Sequence, residues 1–108
     1  MMLKTISLKT IEQFEKHLIS DEKSKATIEK YIRDVKALFN YVKGQHLTKE
    51  VVIAYKNMLI AEQYAVRSIN SMLSSINSLF DYLEWNELKV KNIKIQHQIF
   101  CPEEKELK

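Results

Sequence analysis

The chain has 108 residues, 45% of them hydrophobic, with one glycine, one proline and a net charge of +3 at neutral pH. That length makes one domain with one modest core, and no apolar run approaches the roughly 18 residues that a bilayer span requires. The start, MMLKTISLKT, lacks the apolar stretch and cleavage site of a secretory signal, and the single Cys101 can form no internal disulfide, which fits a reducing cytoplasm. His17, His46 and His97 lie far apart with no metal-ligand spacing, so neither a metal nor a cofactor is expected.

With almost no glycine or proline for hairpin turns, strands are not expected, and the apolar spacing predicts helices. The first runs from about Thr10 to Ile19, turning Ile11, Phe14, Leu18 and Ile19 inward. Ser20 to Lys23 is a polar connection. Ser24 is a good N-cap for the second helix, which buries Ile28, Tyr31, Ile32, Val35, Leu38, Phe39 and Val42, with Gly44 placed for a left-handed C-terminal cap. Thr48 caps the third helix, Glu50 in its first turn suits the helix dipole, and Val52, Tyr55, Met58 and Leu59 face inward. The fourth covers about Val66 to Trp85, with Ile69, Leu73, Ile76, Leu79, Phe80 and Leu83 inward. A short helix or extended stretch follows, and Phe100 to Lys108 reads as a tail or linker.

Helices two and four look like copies. Thr27-Ile28, Tyr31-Ile32, Val35 and Leu38 to Val42 align with Ser68-Ile69, Met72-Leu73, Ile76 and Leu79 to Leu83, always 41 residues later. Two copies are too few for a solenoid, so a pair of helical hairpins packed on each other is the simpler expectation. The fold class is therefore all-α, an orthogonal four-helix bundle of two helical hairpins with room for a short fifth helix.

Charge is segregated. Residues 10–22 carry a local −3, residues 23–43 a local +4, and Lys89, Lys91 and Lys94 follow without an acid between them. On helix two the apolar side turns Lys30, Arg33, Lys36 and Asn40 outward, with Lys25 in the first turn. Cations three and four residues apart can meet successive phosphates, and the hydroxyls of Ser24 and Thr27 at the positive helix end add donors. The alternative is a solvated face in which Glu29–Arg33 and Lys30–Asp34 are surface pairs. The outer face of helix four holds Arg67, Asn70, Ser71, Ser74, Ser75, Asn77 and Ser78, although serine and asparagine are mediocre helix formers. Short polar side chains admit either a DNA groove, with Arg67 and Asn70 reaching base edges, or a neighbouring helix. The aromatics fall at or beside core positions and make no base-stacking platform. No nucleophile has a base and orienter nearby, and no glycine-rich phosphate loop exists, so catalysis by this chain is not expected.

The run Ser24-Lys25-Ala26-Thr27-Ile28-Glu29-Lys30-Tyr31-Ile32-Arg33-Asp34-Val35 through Tyr41 resembles a segment of the N-terminal SAM-like, core-binding domain of tyrosine recombinases, the phage-type integrases. Leu47-Thr48 resembles the family's turn before helix three, and Val66-Arg67-Ser68-Ile69-Asn70-Ser71-Met72-Leu73 through Leu83 resembles its second segment. Order and spacing agree over about residues 8–93. The resemblance implies half of a clamp around duplex DNA, with helices two and four facing the DNA through Ser24, Lys25, Thr27, Lys30, Arg33, Arg67, Ser68, Asn70, Ser71 and Ser74. The outward-face argument adds Lys36. Ser71 stands where the family often has a basic residue, which shifts contacts there toward hydrogen bonding. The family's chemistry resides in a separate C-terminal domain whose Arg, His and nucleophilic Tyr set is not found here. Phe100 to Leu107 resembles the interdomain linker, so the expected division is 1–95 as DNA-binding domain and 96–108 as linker, in a piece of a longer integrase or a stand-alone protein. The expected partners are double-stranded DNA and other recombinase protomers, with no membrane and an isolated monomer. A helical protein-interaction module without DNA binding is the competing reading.

Overall fold

In a computed structural model of the protein, residues 4–94 are described, and they form four α-helices: α1 (Leu8–Ser20), α2 (Lys25–Val42), α3 (Lys49–Ala61) and α4 (Val66–Leu83), followed by a 3₁₀ turn at Asn86–Leu88. The all-α class expected from the apolar spacing is what forms. The tail and linker expected at residues 96–108, with Cys101, lie outside the described residues. No helix among the described residues is long and apolar enough to cross a membrane.

Three of the four helices start where a side chain can answer an orphan amide. Ser24 Oγ accepts from Thr27 N at 3.1 Å, and Thr48 Oγ1 from Val51 N at 3.2 Å, as expected. α1 begins two residues earlier than its apolar pattern indicates, because Ser7 and Thr10 make a reciprocal capping box. α4 starts at Val66 after Ala65, which offers no side-chain cap. α2 ends at Lys43, in the left-handed region at φ 50°, one residue before the glycine expected to do this, and Gly44 continues at φ 81°. α4 stops at Leu83 with Glu84 at φ 61°, so Trp85 falls outside the helix.

The repeat extends through the whole architecture. α3 and α4 begin and end 41 residues after α1 and α2, and the left-handed residues Glu22 and Lys43 recur at Gln63 and Glu84. Buried Ile11, Phe14 and Leu18 recur as Val52, Tyr55 and Leu59, and Ile32, Val35 and Leu38 recur as Leu73, Ile76 and Leu79. α2 and α4 pack on each other through the centre of this core. Lys30 touches Ser71, and Asp34 touches Ser75, each pair 41 residues apart. When equivalent positions meet one another, the two copies are related by an approximate two-fold, the relation of an isologous interface. The hairpins are thus a fused pair sharing one core.

Several inward assignments differ. Ile19 is exposed, because α1 has only α2 and one flank of α4 to pack on. Ile28, Tyr31, Phe39, Met58 and Leu83 are only half-buried, packed against the edge of the core. Beyond the 3₁₀ turn the chain is extended, and Val90 and Ile93 pack back onto the core. We call residues 89–94 the strap.

Candidate nucleic-acid interface

The first turn of α2 presents Ser24 and Lys25 to solvent, with Thr27 half-buried behind them. Ser24 Oγ donates to Thr27 Oγ1 at 2.9 Å while capping the helix, so this pair of hydroxyls is already oriented. About two turns on, Arg33 projects to solvent, its side chain 74% exposed and its Nε 3.8 Å from Asp34 Oδ1. Arg67, Ser68 and Ser74 are exposed along α4, and Ser71 is half-buried. Arg33, Ser68 and Ser71 share one groove of about 400 Å³ between α2 and α4, walled also by Lys30, Asp34, Tyr64 and Met72. The structure therefore brings the arginine of one helix and the serines of the other to a common surface.

Three of the residues expected on that surface sit differently. Lys30 does not project away from the core. Its ammonium reaches across to α4, donating to Asp34 Oδ2 at 2.6 Å, to Ser71 O at 3.1 Å and to Ser75 Oγ at 3.0 Å. Asp34 is buried at 4% exposure, and Ser75, expected on the outer face, is fully buried and donates to Asp34 Oδ2 at 2.7 Å. A carboxylate placed in a dry interface must be answered by charge and hydrogen bonds, and Lys30 and Ser75 answer it. The Lys30–Asp34 pair is therefore an interhelical joint and not a surface ion pair. The Asp34 charge also acts on its surroundings: burial first, then this carboxylate and Tyr64, push the Tyr55 hydroxyl up to about 12.

Asn70 is the second correction. It occupies the flank of α4 turned away from α2, where its carboxamide donates to Ile93 O at 2.9 Å and accepts from Ile93 N at 2.7 Å. Asn77, two turns later on the same flank, brackets Val90 in the same way, at 2.9 and 3.2 Å. An extended strap has unpaired amides and carbonyls, and a carboxamide offers one donor and one acceptor at matching spacing. So this flank seats a neighbour, as one reading of the short polar residues allowed, but the neighbour is the chain itself. Lys49 and Lys56 of α3 hold the strap's other edge, donating to Lys89 O and, at 2.6 Å, to Lys91 O.

Lys36 is the third. It is exposed but lies on the α1 side of α2, lining surface grooves with Glu12 and Glu15. A nearby acidic helix makes that flank a poor host for a polyanion.

Sequence reasoning missed Asp34, Ser75, Lys49 and Lys56 as structural groups. The first two carried a usable signal, since the 41-residue offset makes Asp34 and Ser75 equivalent and hence neighbours at a two-fold. The seven-residue spacing of Asn70 and Asn77 likewise marks two turns of one helix face. Nothing local marks the lysines.

Among the described residues no ion pair joins Lys25 or Arg67 to a carboxylate, and no cluster of His, Cys, Asp and Glu could hold a metal. Of the expected residues, Ser24, Lys25, Arg33, Arg67, Ser68 and Ser74 are exposed and Ser71 is half-buried, and Arg33, Ser68 and Ser71 share the α2–α4 groove.

Neither curated proteins nor solved structures gave a match. The family model described as phage integrase, N-terminal SAM-like domain, matches residues 11–87, most of the chain, from within α1 through the end of α4. The chain belongs to the family of phage integrase N-terminal SAM-like domains.

Proposed function

We propose that this domain binds duplex DNA and positions a site-specific tyrosine recombinase on its recombination core site, with α2 and α4 turned to the duplex. The observation that carries the reading is the shared α2–α4 groove, where Arg33 meets Ser68 and Ser71, with Arg67 exposed at the start of α4. Lys25, Arg33 and Arg67 supply ionic phosphate contacts, which fix register. Ser24, Thr27, Ser68, Ser71 and Ser74 supply hydrogen bonds at close approach. Lys30 and Asn70 act from behind, holding α2, α4 and the strap in place, and Lys36 makes no contact with DNA.

In this reading residues 1–95 are the binding domain and 96–108 lead toward a catalytic domain that carries the chemistry. The domain performs none itself, and its further partners are other protomers of the recombinase on DNA inside the cell. Its protein-interaction rival docks a partner helix on the Ser/Asn face of α4; the strap already fills the Asn70 and Asn77 side of that face, which leaves such a partner only the serines.

The test is a duplex titration over a range of salt. Each neutralised phosphate adds about −0.9 to the log–log slope, so three contacts weaken binding roughly 40-fold between 50 and 200 mM salt. The triple variant Lys25→Ala, Arg33→Ala, Arg67→Ala should lose that slope while melting like the parent. An affinity that ignores salt, or a triple variant that binds as the parent does, refutes the proposal.

A further inference from the structure

The lysines with an assigned partner among the described residues are of two kinds. Lys4, Lys23, Lys30 and Lys89 each lie within reach of a carboxylate, on Glu87, Asp21, Asp34 and Asp81 respectively. Lys49 and Lys56 instead donate to main-chain carbonyls of the strap, Lys89 O and Lys91 O. A carbonyl orients an ammonium but leaves its full charge in place and two of its three N–H donors open. Much of the side-chain entropy lost when a free lysine grips an anion is already gone here.

These two ammoniums flank one groove of about 320 Å³ between α3 and the strap, lined by Lys49, Ile53, Lys56, Asn57, Val90 and Lys91. Three of its six lining residues are cationic and none is acidic. Glu50, the neighbour of Lys49, is exposed and not part of the lining. Like charges gathered around one concavity repel each other and gain from an anion placed between them. The cradle is also built rather than accidental. Asn77 and Asn70 fix Val90 and Ile93 on the α4 side, so the strap carbonyls that aim Lys49 and Lys56 are themselves held.

The geometry points to an anion site between α3 and the strap, in which Lys49, Lys56 and Lys91 take up a phosphate group. It lies beyond the Asn flank of α4, apart from the α2–α4 face, and does not depend on that face binding DNA. The phosphate has two sources, a nucleic-acid backbone or a free oligophosphate, and the groove meets both through the same donors.

The probe is tripolyphosphate, followed by amide chemical shifts of the full chain, with a second titration using a 20-base-pair duplex. Saturable shifts at Ile53, Asn57 and Val90 on adding tripolyphosphate are expected. The triple variant Lys49→Gln, Lys56→Gln, Lys91→Gln keeps a donor for each strap carbonyl and removes the charge. It should weaken tripolyphosphate at least tenfold, while hydrogen exchange at Val90 and Ile93 shows the strap still docked. If the source is DNA, the duplex shifts the same amides and the variant lowers the salt slope by up to about 2.7, three phosphates' worth. If the source is a free oligophosphate, the duplex slope is unchanged and the tripolyphosphate effect remains. Shifts that never saturate, or a triple Gln variant that binds tripolyphosphate as the parent does with its strap docked, overturn the site. The Lys25, Arg33 and Arg67 variant reports separately on the α2–α4 face.

Discussion

Replacing Lys30 by alanine should unfold the domain more readily rather than simply weaken DNA binding. The Asp34 side chain is 5% exposed and would lose a partner at 2.6 Å, keeping Ser75 Oγ at 2.7 Å and an Arg33 Nε 3.8 Å away. Orphaning a buried carboxylate costs about 3–5 kcal/mol, and because the Lys30 side chain is itself 32% exposed, water can enter and the lower end applies, about 3 kcal/mol. For a domain of this size that lowers the melting temperature by roughly 12–20 °C. Asp34→Asn removes the charge while an amide oxygen still accepts from Ser75, and should cost about 1–2 kcal/mol. The double variant should then fall short of the sum by about 1–2 kcal/mol, since Lys30→Ala strands no charge once Asp34 is neutral. Urea unfolding followed by far-ultraviolet circular dichroism, with the four slopes compared, reads all of this. A Lys30→Ala protein within about 0.5 kcal/mol of the parent, or single effects that simply add, would refute the interhelical joint.

Two further outcomes follow from the same geometry. Lys43→Gly should stabilise the fold by about 0.5–1 kcal/mol, because φ 50° at the end of α2 strains a side-chain-bearing residue and suits glycine; a lower urea midpoint would contradict the assignment. Tyr55 gives a pH signature: its hydroxyl, near 10 when unfolded, is pushed up to about 12 in the fold, burial being the main cause. The folded state keeps its proton longer, so the contribution is complete below pH 10 and is lost as pH rises from 10 to 12, about 2–3 kcal/mol in all. Tyr55→Phe should flatten that alkaline limb in stability measured against pH, and an unchanged limb would remove the argument.

The helices, their inward faces and the Ser24 and Thr48 caps were legible because apolar period and capping chemistry are local. The Ser7–Thr10 box was equally local but lies before Ile11, the first inward residue of α1, where periodicity gives no cue. Lys30 and Asn70 misled for a different reason. Whether a polar side chain at the edge of an apolar stripe meets solvent or a neighbour depends on how closely the next element approaches. Lys30 lies beside the stripe that carries Asp34, and α4 comes near enough there for one ammonium to bridge both helices. The partner of Asn70 is a strap 23 residues downstream, which no helical period announces. Lys36 was correctly outward, yet α1 with Glu12 and Glu15 takes that side, a fact set by the packing of the first hairpin.

The duplication explains why one scaffold can present two different surfaces. An isologous pair would place Lys30 and Asp34 opposite identical residues, putting two carboxylates and two ammoniums at the axis. Here the second copy carries Ser71 and Ser75 at those positions, so one Lys–Asp pair meets two small hydroxyl residues and the joint closes without like-charge repulsion. Divergence also leaves α2 with most of the exposed cations and α4 with one, Arg67, among short side chains that admit a close neighbour. The first helix can then supply charge and the second approach. Restoring symmetry with Ser75→Asp would bury a second carboxylate beside Asp34, and the fold should lose more stability from that change than from any single substitution on the outer face of α4.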